Sequence, residues 1–293
     1  MKKSYTPIVR LASSKSKDTL NMPVHLKPMQ FGRYPSDNAV TFERWYLDNW
    51  RISDERERIY LPVQWTALYC NNGYGNAAVL HTIQRYIDSL DATKKYYTIV
   101  QYDDGILNDL GRLDVKVIAC SVKSDFTIPL LCTPHKFNFT PGAFKKDIYA
   151  TFIGNLTHPI RANLIKQLEG KEDYYISTKQ HDLREYCKIF ARSKYVLCPR
   201  GYGLSSFRIQ EAIDMQAIPV YISDEFIFPY NTKEFDFGMA VPHDMDIECA
   251  LAIADGSGSD ELWKDYINKN KHLYTYHGCK QEILKYLSNE NTD

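Results

Sequence analysis

CPRGYGLSSFRIQEAIDMQAIPVYISDEFIFPY, residues 198–230, reads as a strand end, a glycine loop, a helix and a second strand in succession. The apolar, β-prone run at 195–198 stops at Pro199. Gly201 and Gly203 then allow the turn backbone conformations closed to other residues. Ser205 or Ser206 stands where a helix cap is expected, so free N–H groups and the positive end of the helix dipole face whatever anion sits over the loop. In the helix, Ile209, Ala212, Ile213 and Gln216 form one stripe, which leaves Arg208 and Glu211, three apart, on an adjoining flank. Arg200 adds a guanidinium within the loop, and such forks suit phosphate oxygens better than an ammonium does. A carboxylate beside an anion site makes sense for a ligand that also carries hydroxyls, as the ribose of a nucleotide does.

The segment resembles the signature of the exostosin family, glycosyltransferase family 47: a Pro-x-Gly loop (Pro199, Gly201), a Ser-x-Arg pair (Ser206, Arg208), a Glu-Ala helix (Glu211, Ala212) and a Pro-Val strand (Pro219, Val220). The strand is followed by Pro229 and Tyr230, with tyrosine where the family usually has phenylalanine. Upstream, YATFIGNLTHPIRANLIKQL at 149–168 is similar to the family's strand ending in Gly and followed by an Arg that opens a helix. RIYLPVQW and YYTIVQYDDG resemble its first-domain strands, which extends the resemblance over 42–286. The resemblance implies an α/β protein of GT-B type, with two facing Rossmann-like domains and parallel sheets. The C-terminal domain would bind a UDP-sugar, and transfer would invert the anomeric carbon.

Length fits two compact domains. Lys plus Arg equals Asp plus Glu at 36 each, so long-range charge points to neither a nucleic-acid nor an acidic-membrane partner. The cleft must be basic only locally. Seven cysteines without Cys-x-x-Cys spacing read as free thiols in a reducing compartment. MKKSYTPIVRLASSKSKDTL, at the start, never reaches the apolar run of about 7–15 residues that a signal peptide needs, and no stretch approaches the ~20 apolar residues of a membrane span. The expected location is the cytoplasm, unlike the Golgi membrane proteins common in the family.

Strands and helices alternate, which predicts parallel sheets. Ala39, Phe42, Tyr46 and Trp50 mark one helix face, followed by a strand over 58–65. A helix through Val79, Leu80, Ile83, Tyr86, Ile87 and Leu90 leads to strands at 97–102 and 115–119. Periodicity is lost at 133–146, which carries Pro134, Pro141 and Gly142, so the expected division is 1–140, an acceptor-binding domain, and 141–293, a nucleotide-sugar-binding domain. The second half continues as strand 149–153, helix 160–168, strand 174–177, helix 183–192 and then the signature. Two helices close the chain, one through Trp263, Tyr266, Ile267 and Leu273, the other through Ile283, Leu284 and Leu287. In folds of this kind the last helix often crosses back to the first domain.

Ligands of open α/β sheets sit at strand C-terminal ends, which singles out the signature loop, residues 154–161 and Asp103-Asp104. The residues expected to bind the donor are Arg161, Arg200, Gly201, Gly203, Ser205, Ser206, Arg208 and Glu211, with Arg208 and Arg161 on the diphosphate and Glu211 on the ribose. An inverting transfer also needs a base for the acceptor hydroxyl, and Asp104 or Asp103 is expected in that role. Asp244-Met245-Asp246 resembles the Asp-x-Asp of metal-dependent transferases, but it precedes Ile247, Ala250 and Leu251 and reads better as a helix cap. No metal or other cofactor is expected, since arginines and a helix dipole do that work in this class. Trp65, Tyr69, Tyr74 and Tyr102, near first-domain strand ends, are candidates to stack on sugar rings or to fill core and rim. The loop is neither a Gly-Lys-Ser/Thr P-loop nor Gly-x-Gly-x-x-Gly. The partners expected are a UDP-sugar carrying xylose, glucuronic acid, galactose or arabinose, and a glycan acceptor; a non-catalytic nucleotide-sugar or glycan binder is the alternative.

Overall fold

The computed structural model describes residues 40–289 except 52–53, 55–56, 134 and 136–138. Ala39, Pro134 and the N-terminal segment lie outside the described residues. Thr41 caps α1 (Phe42–Asn49) by accepting from the Arg44 amide. Next come β1 (Arg58–Tyr60), α2 (Trp65–Asn71), α3 (Ala77–Asp88), β2 (Lys95–Val100), β3 (Asp114–Ala119) and β4 (Phe126–Thr127). The four strands form one parallel sheet in the order β1-β2-β3-β4. Alternation along β2 sends Tyr97 and Ile99 to a core with Phe42 and Tyr46, and Tyr96 and Val100 to a core with Ile83 and Ile87. Both faces are covered, and β2 is therefore apolar almost throughout.

The strand expected over 58–65 is shorter in the structure. Pro62 has no N–H for the ladder, so β1 ends at Tyr60 and Trp65 opens α2. The Trp65 indole donates to Thr98 Oγ1 at 2.8 Å, fixing that helix start beneath β2.

Glu43 of α1 is buried and accepts from the Thr66 amide and hydroxyl and from the Gln101 amide. Burial, only partly opposed by these hydrogen bonds, raises its pKa from 4.5 to about 7. The native state therefore holds a proton that the unfolded chain releases, and stability should fall as pH rises from 4.5 to about 7, by at most about 3 kcal/mol. Urea midpoints across that range should decline more steeply for the native protein than for Glu43→Gln. Parallel slopes would show that Glu43 does not titrate in this window.

The second half comprises β5 (Ile148–Ile153), α4 (Pro159–Leu168), β6 (Tyr174–Ser177), α5 (Leu183–Arg192), β7 (Ser193–Pro199), α6 (Phe207–Asp214), β8 (Ile218–Ser223), β9 (Met239–Pro242), α7 (Ile247–Ser257), α8 (Ser259–Asn270) and α9 (Tyr276–Asn289). Its parallel sheet runs β6-β5-β7-β8-β9. The chain winds from β5 outward to β6 and from β7 outward to β8, so the topological switch point lies between the C-terminal ends of β5 and β7. Two of the three loops singled out from the sequence meet there. Each half thus has a parallel sheet covered by helices, the α/β class expected.

The change from one sheet to the other falls between Thr127 and Ile148, where a 3-10 turn at Pro141–Ala143 is the regular element among the described residues. Residues 271–274, expected to extend α8, form a separate 3-10 turn. The last helix does return to the first half. Phe126 and Tyr286 stack at 4.3 Å, Lys280 pairs with Asp54 at 2.5 Å, and the Tyr276 hydroxyl donates to the Val40 carbonyl. Among the described residues no helix is long and apolar enough to cross a membrane.

Candidate active site

Two loops define the site, 154–158 after β5 and 200–206 after β7. Arg161, in the first turn of α4, is 6% exposed and spends its guanidinium on backbone carbonyls, donating to Arg200 and Asn155 at 2.9 Å and to Pro199 at 3.3 Å. It ties the two loops together. Arg208, in the first turn of α6, donates its Nε to the Ile153 carbonyl at 2.6 Å and lies over the Phe152 ring. Its terminal nitrogens have no partner among the described residues. Gly154 makes room for them, since a Cβ there would sit 1.8 Å from Arg208 Nη2.

Neither guanidinium has a carboxylate within ion-pair reach among the described residues. Burial first, and then the neighbouring Arg208 charge, push the Arg161 pKa down to about 10. Two cations held together without a directly paired carboxylate leave a position that favours an anion. Two hydroxyls from the same loops, Thr157 Oγ1 and Ser206 Oγ, are buried without a hydrogen-bond partner among the described residues, and native structures rarely leave such groups unsatisfied.

The signature serines behave differently from expectation. Ser206 occupies the N-cap position with extended backbone, yet its hydroxyl caps nothing. Ser205 is half-buried, and its carbonyl accepts from Gly201. The glycines differ too: neither Gly201 nor Gly203 adopts the left-handed backbone; close approach requires Gly203 and makes the space at Gly201 tight. At Gly201 a Cβ would meet Arg161 Nη2 at 3.3 Å and Thr157 Oγ1 at 3.8 Å. At Gly203 it would meet Asp103 Oδ1 at 2.5 Å and Ser121 Cβ at 2.6 Å, across the interface between the two halves.

Arg200 braces its own loop, pairing with Asp224 at 2.6 Å and donating to the Gly203 and Tyr202 carbonyls. Its charge is already compensated. Glu211 forms no ion pair with Arg208; it accepts instead from the Tyr186 hydroxyl at 2.5 Å and lies 3.0 Å from His135 Nε2. Burial would raise the Glu211 pKa, but the bonds from His135 and Tyr186 with the Arg208 charge outweigh it and hold the carboxyl below its usual value. The bond to Glu211 likewise raises His135. Glu211 keeps lone pairs for a further donor. Cys132, His135 and Glu211 each place one potential ligand atom within 4.8 Å of the others.

Across the interface, Asp103 lies with Ser121 against Gly203, and burial raises its pKa. Asp104 is exposed, on the rim of a pocket of about 620 Å³ lined also by Ile106, Asn108, Val122 and Asp125. Trp65 and Tyr69 are fully buried and Tyr102 nearly so, which removes them from any sugar-stacking role; Tyr74 is exposed. Asp246 caps α7 through the Cys249 amide. Sequence reasoning missed Thr157, His135, Tyr186 and Ser121. None belongs to a spacing pattern, and only the loop assignment at 154–161 pointed near one of them.

Residues 106–240 match the family model described as the exostosin GT47 domain. The "Exostosin-1 homolog" of Caenorhabditis elegans is 40% identical over 51% of this chain and 52% of that protein. A "probable glycosyltransferase" of Arabidopsis thaliana is 29% identical over 31% of this chain and 18% of its own length. The matched region is thus about half of the nematode protein and a fifth of the plant one. Among solved structures, the pneumococcal O-GlcNAc transferase GtfA in complex with UDP and GlcNAc is similar at a TM-score of 0.40 and 11% identity, covering 83% of this chain and 51% of that one.

Proposed function

We propose that this protein is an inverting, metal-independent glycosyltransferase that moves a monosaccharide from a UDP-sugar to a glycan acceptor. The observation that carries the reading is the pair of neighbouring guanidiniums, Arg161 and Arg208, which among the described residues has no carboxylate within ion-pair reach and is flanked by two unpartnered hydroxyls at a topological switch point. A diphosphate supplies the charge and the acceptor oxygens that this cradle lacks. In this reading Arg208 holds the diphosphate directly, Arg161 fixes the loops and adds field, and Thr157 and Ser206 donate to phosphate oxygens. The N-terminus of α6 strengthens as negative charge develops on the leaving group. Glu211 takes ribose hydroxyls. The acceptor enters from the side of Asp103 and Asp104, and Asp103, with its raised pKa and its contact to the signature loop, is the base favoured by geometry. The sugar is xylose, glucuronic acid, galactose or arabinose, and the setting is the cytoplasm.

Thermal denaturation with a panel of UDP-sugars should reveal a raised melting temperature for at least one, because a ligand of the native state stabilises by mass action. NMR of the product should show the opposite anomeric configuration to the donor, in the presence of a chelator. On the acid side, kcat/KM should fall through a pKa above the usual aspartate value, and that limb should vanish with the residual activity of Asp103→Asn. A panel in which no nucleotide sugar shifts the transition would sink the proposal.

A further inference from the structure

Cys132 and His135, from the segment after β4, meet Glu211 of α6, and neither Cys132 nor His135 has a part in the proposed transfer. Cys132 and His135 are separated by two residues, a bite suited to one ion, and Glu211 approaches from a helix. A thiol, an imidazole and a carboxylate are the mixed sulfur, nitrogen and oxygen set that zinc accepts. With the thiol ionised, thiolate and carboxylate together neutralise a dication, so the filled site buries no net charge. The first ligand is held in place, since the Gln210 side chain accepts from the Cys132 amide at 2.7 Å and donates to its carbonyl at 3.3 Å. The imidazole and carboxylate side chains keep 22% and 13% exposure, which leaves a path for the ion and a position for water. The ligand atoms lie within 4.8 Å of one another. Tetrahedral zinc, with bonds of about 2.0–2.3 Å, wants them roughly 3.3–3.8 Å apart, so closure needs about an ångström, within reach of side-chain rotation at Cys132 and His135.

We propose that Cys132, His135 and Glu211 form a zinc site with one water as fourth ligand. Binding releases the thiol proton and the proton shared by His135 and Glu211. Because Glu211 is also assigned to the ribose, a consequence that rests on the donor-site reading is that zinc and UDP antagonise each other.

The full chain, stripped with a chelator, should be titrated with zinc by calorimetry and with cobalt by absorption spectroscopy. The expected result is one ion per chain and a tetrahedral cobalt spectrum with a thiolate charge-transfer band. Cys132→Ser should abolish that band, and His135→Gln should weaken binding by at least the roughly 10- to 100-fold seen when an outer partner of a metal site is lost. Cys249→Ser, which removes an exposed thiol, should change nothing. X-ray absorption of the zinc-loaded native protein tests the same point without any variant and should show one sulfur at about 2.3 Å. Absence of stoichiometric binding, a shell without sulfur, or a band that survives Cys132→Ser overturns the proposal. If zinc binds as described and leaves UDP affinity unchanged, the zinc site stands and the ribose role of Glu211 falls.

Discussion

Arg208→Ala is expected to abolish the UDP-dependent rise in melting temperature while leaving the unliganded protein about as stable as before. The loss follows from what the side chain lacks. Its one hydrogen bond in the structure runs to the Ile153 carbonyl, and its terminal nitrogens, accommodated by Gly154, are free for a phosphate. Two charge-assisted bonds to a diphosphate are together worth roughly 3 kcal/mol or more, or at least about 100-fold in affinity. The unliganded protein loses the Ile153 bond and the contact with Phe152 but also sheds the repulsion with Arg161, and the two effects offset. Arg161→Ala should behave differently, lowering the melting temperature even without ligand, because three backbone carbonyls lose their donor. Calorimetric titration with UDP and thermal denaturation of both variants separate the two roles. Near-native UDP affinity in Arg208→Ala would take this residue out of the site.

Gly203→Ala should damage turnover far more than donor binding. The new methyl would have to share space with Asp103 Oδ1 and Ser121 Cβ, and a Cβ, fixed to the backbone just after β3, cannot swing aside. The loop and the first sheet must then separate, breaking the bond between the Leu204 amide and the Ser121 carbonyl, or Asp103 must leave its position. Overpacking of this kind costs about 1–3 kcal/mol. The proposed base shifts relative to the donor, and kcat should fall by about tenfold or more, given the steep dependence of rate on reacting geometry. Arg161, Arg208 and Glu211 all belong to the second half of the chain, so UDP affinity should stay within a few-fold of native. If affinity and kcat drop together, the 200–206 loop serves the donor alone and Asp103 has no part in the chemistry.

The elements of the second half were legible because each carries its own local signal. Leu183–Arg192 has a strong apolar stripe behind its Asp182 cap, and the β5 and β7 runs are short, apolar and ended by Gly154 and Pro199. The first half was less legible. Pro62 cut a strand short, and α2 carries no polar face from which a helix period can be read, since Trp65–Tyr69 are all buried. β4 and β9 are too brief to stand out from their loops. For the site, residue types and loops were readable, but partnerships were not. The chain offers Arg200 and Arg208 both as donor-binding cations, with Arg208 on the diphosphate, and their neighbours, Asp224 for Arg200 and no carboxylate in ion-pair reach for Arg208 among the described residues, distinguish a loop brace from a free cation. His135 and Cys132 drew no attention because a scan for paired cysteines or paired histidines cannot see a ligand set completed by a glutamate 76 residues away from the histidine.

The sequence by itself determined two parallel α/β sheets, the loop between β7 and α6, and the concentration of charge there. Those follow from hydrophobic period, turn residues and helix geometry, which act over a few residues. The tertiary structure alone decided which arginine has no directly paired carboxylate among the described residues, why Gly203 is needed without an unusual backbone angle, and that Asp103 presses against the signature loop from the other half. Such facts depend on contacts between segments far apart in the chain. Electrostatic compensation and close packing are set by the neighbours that folding supplies, and local pattern carries no record of them.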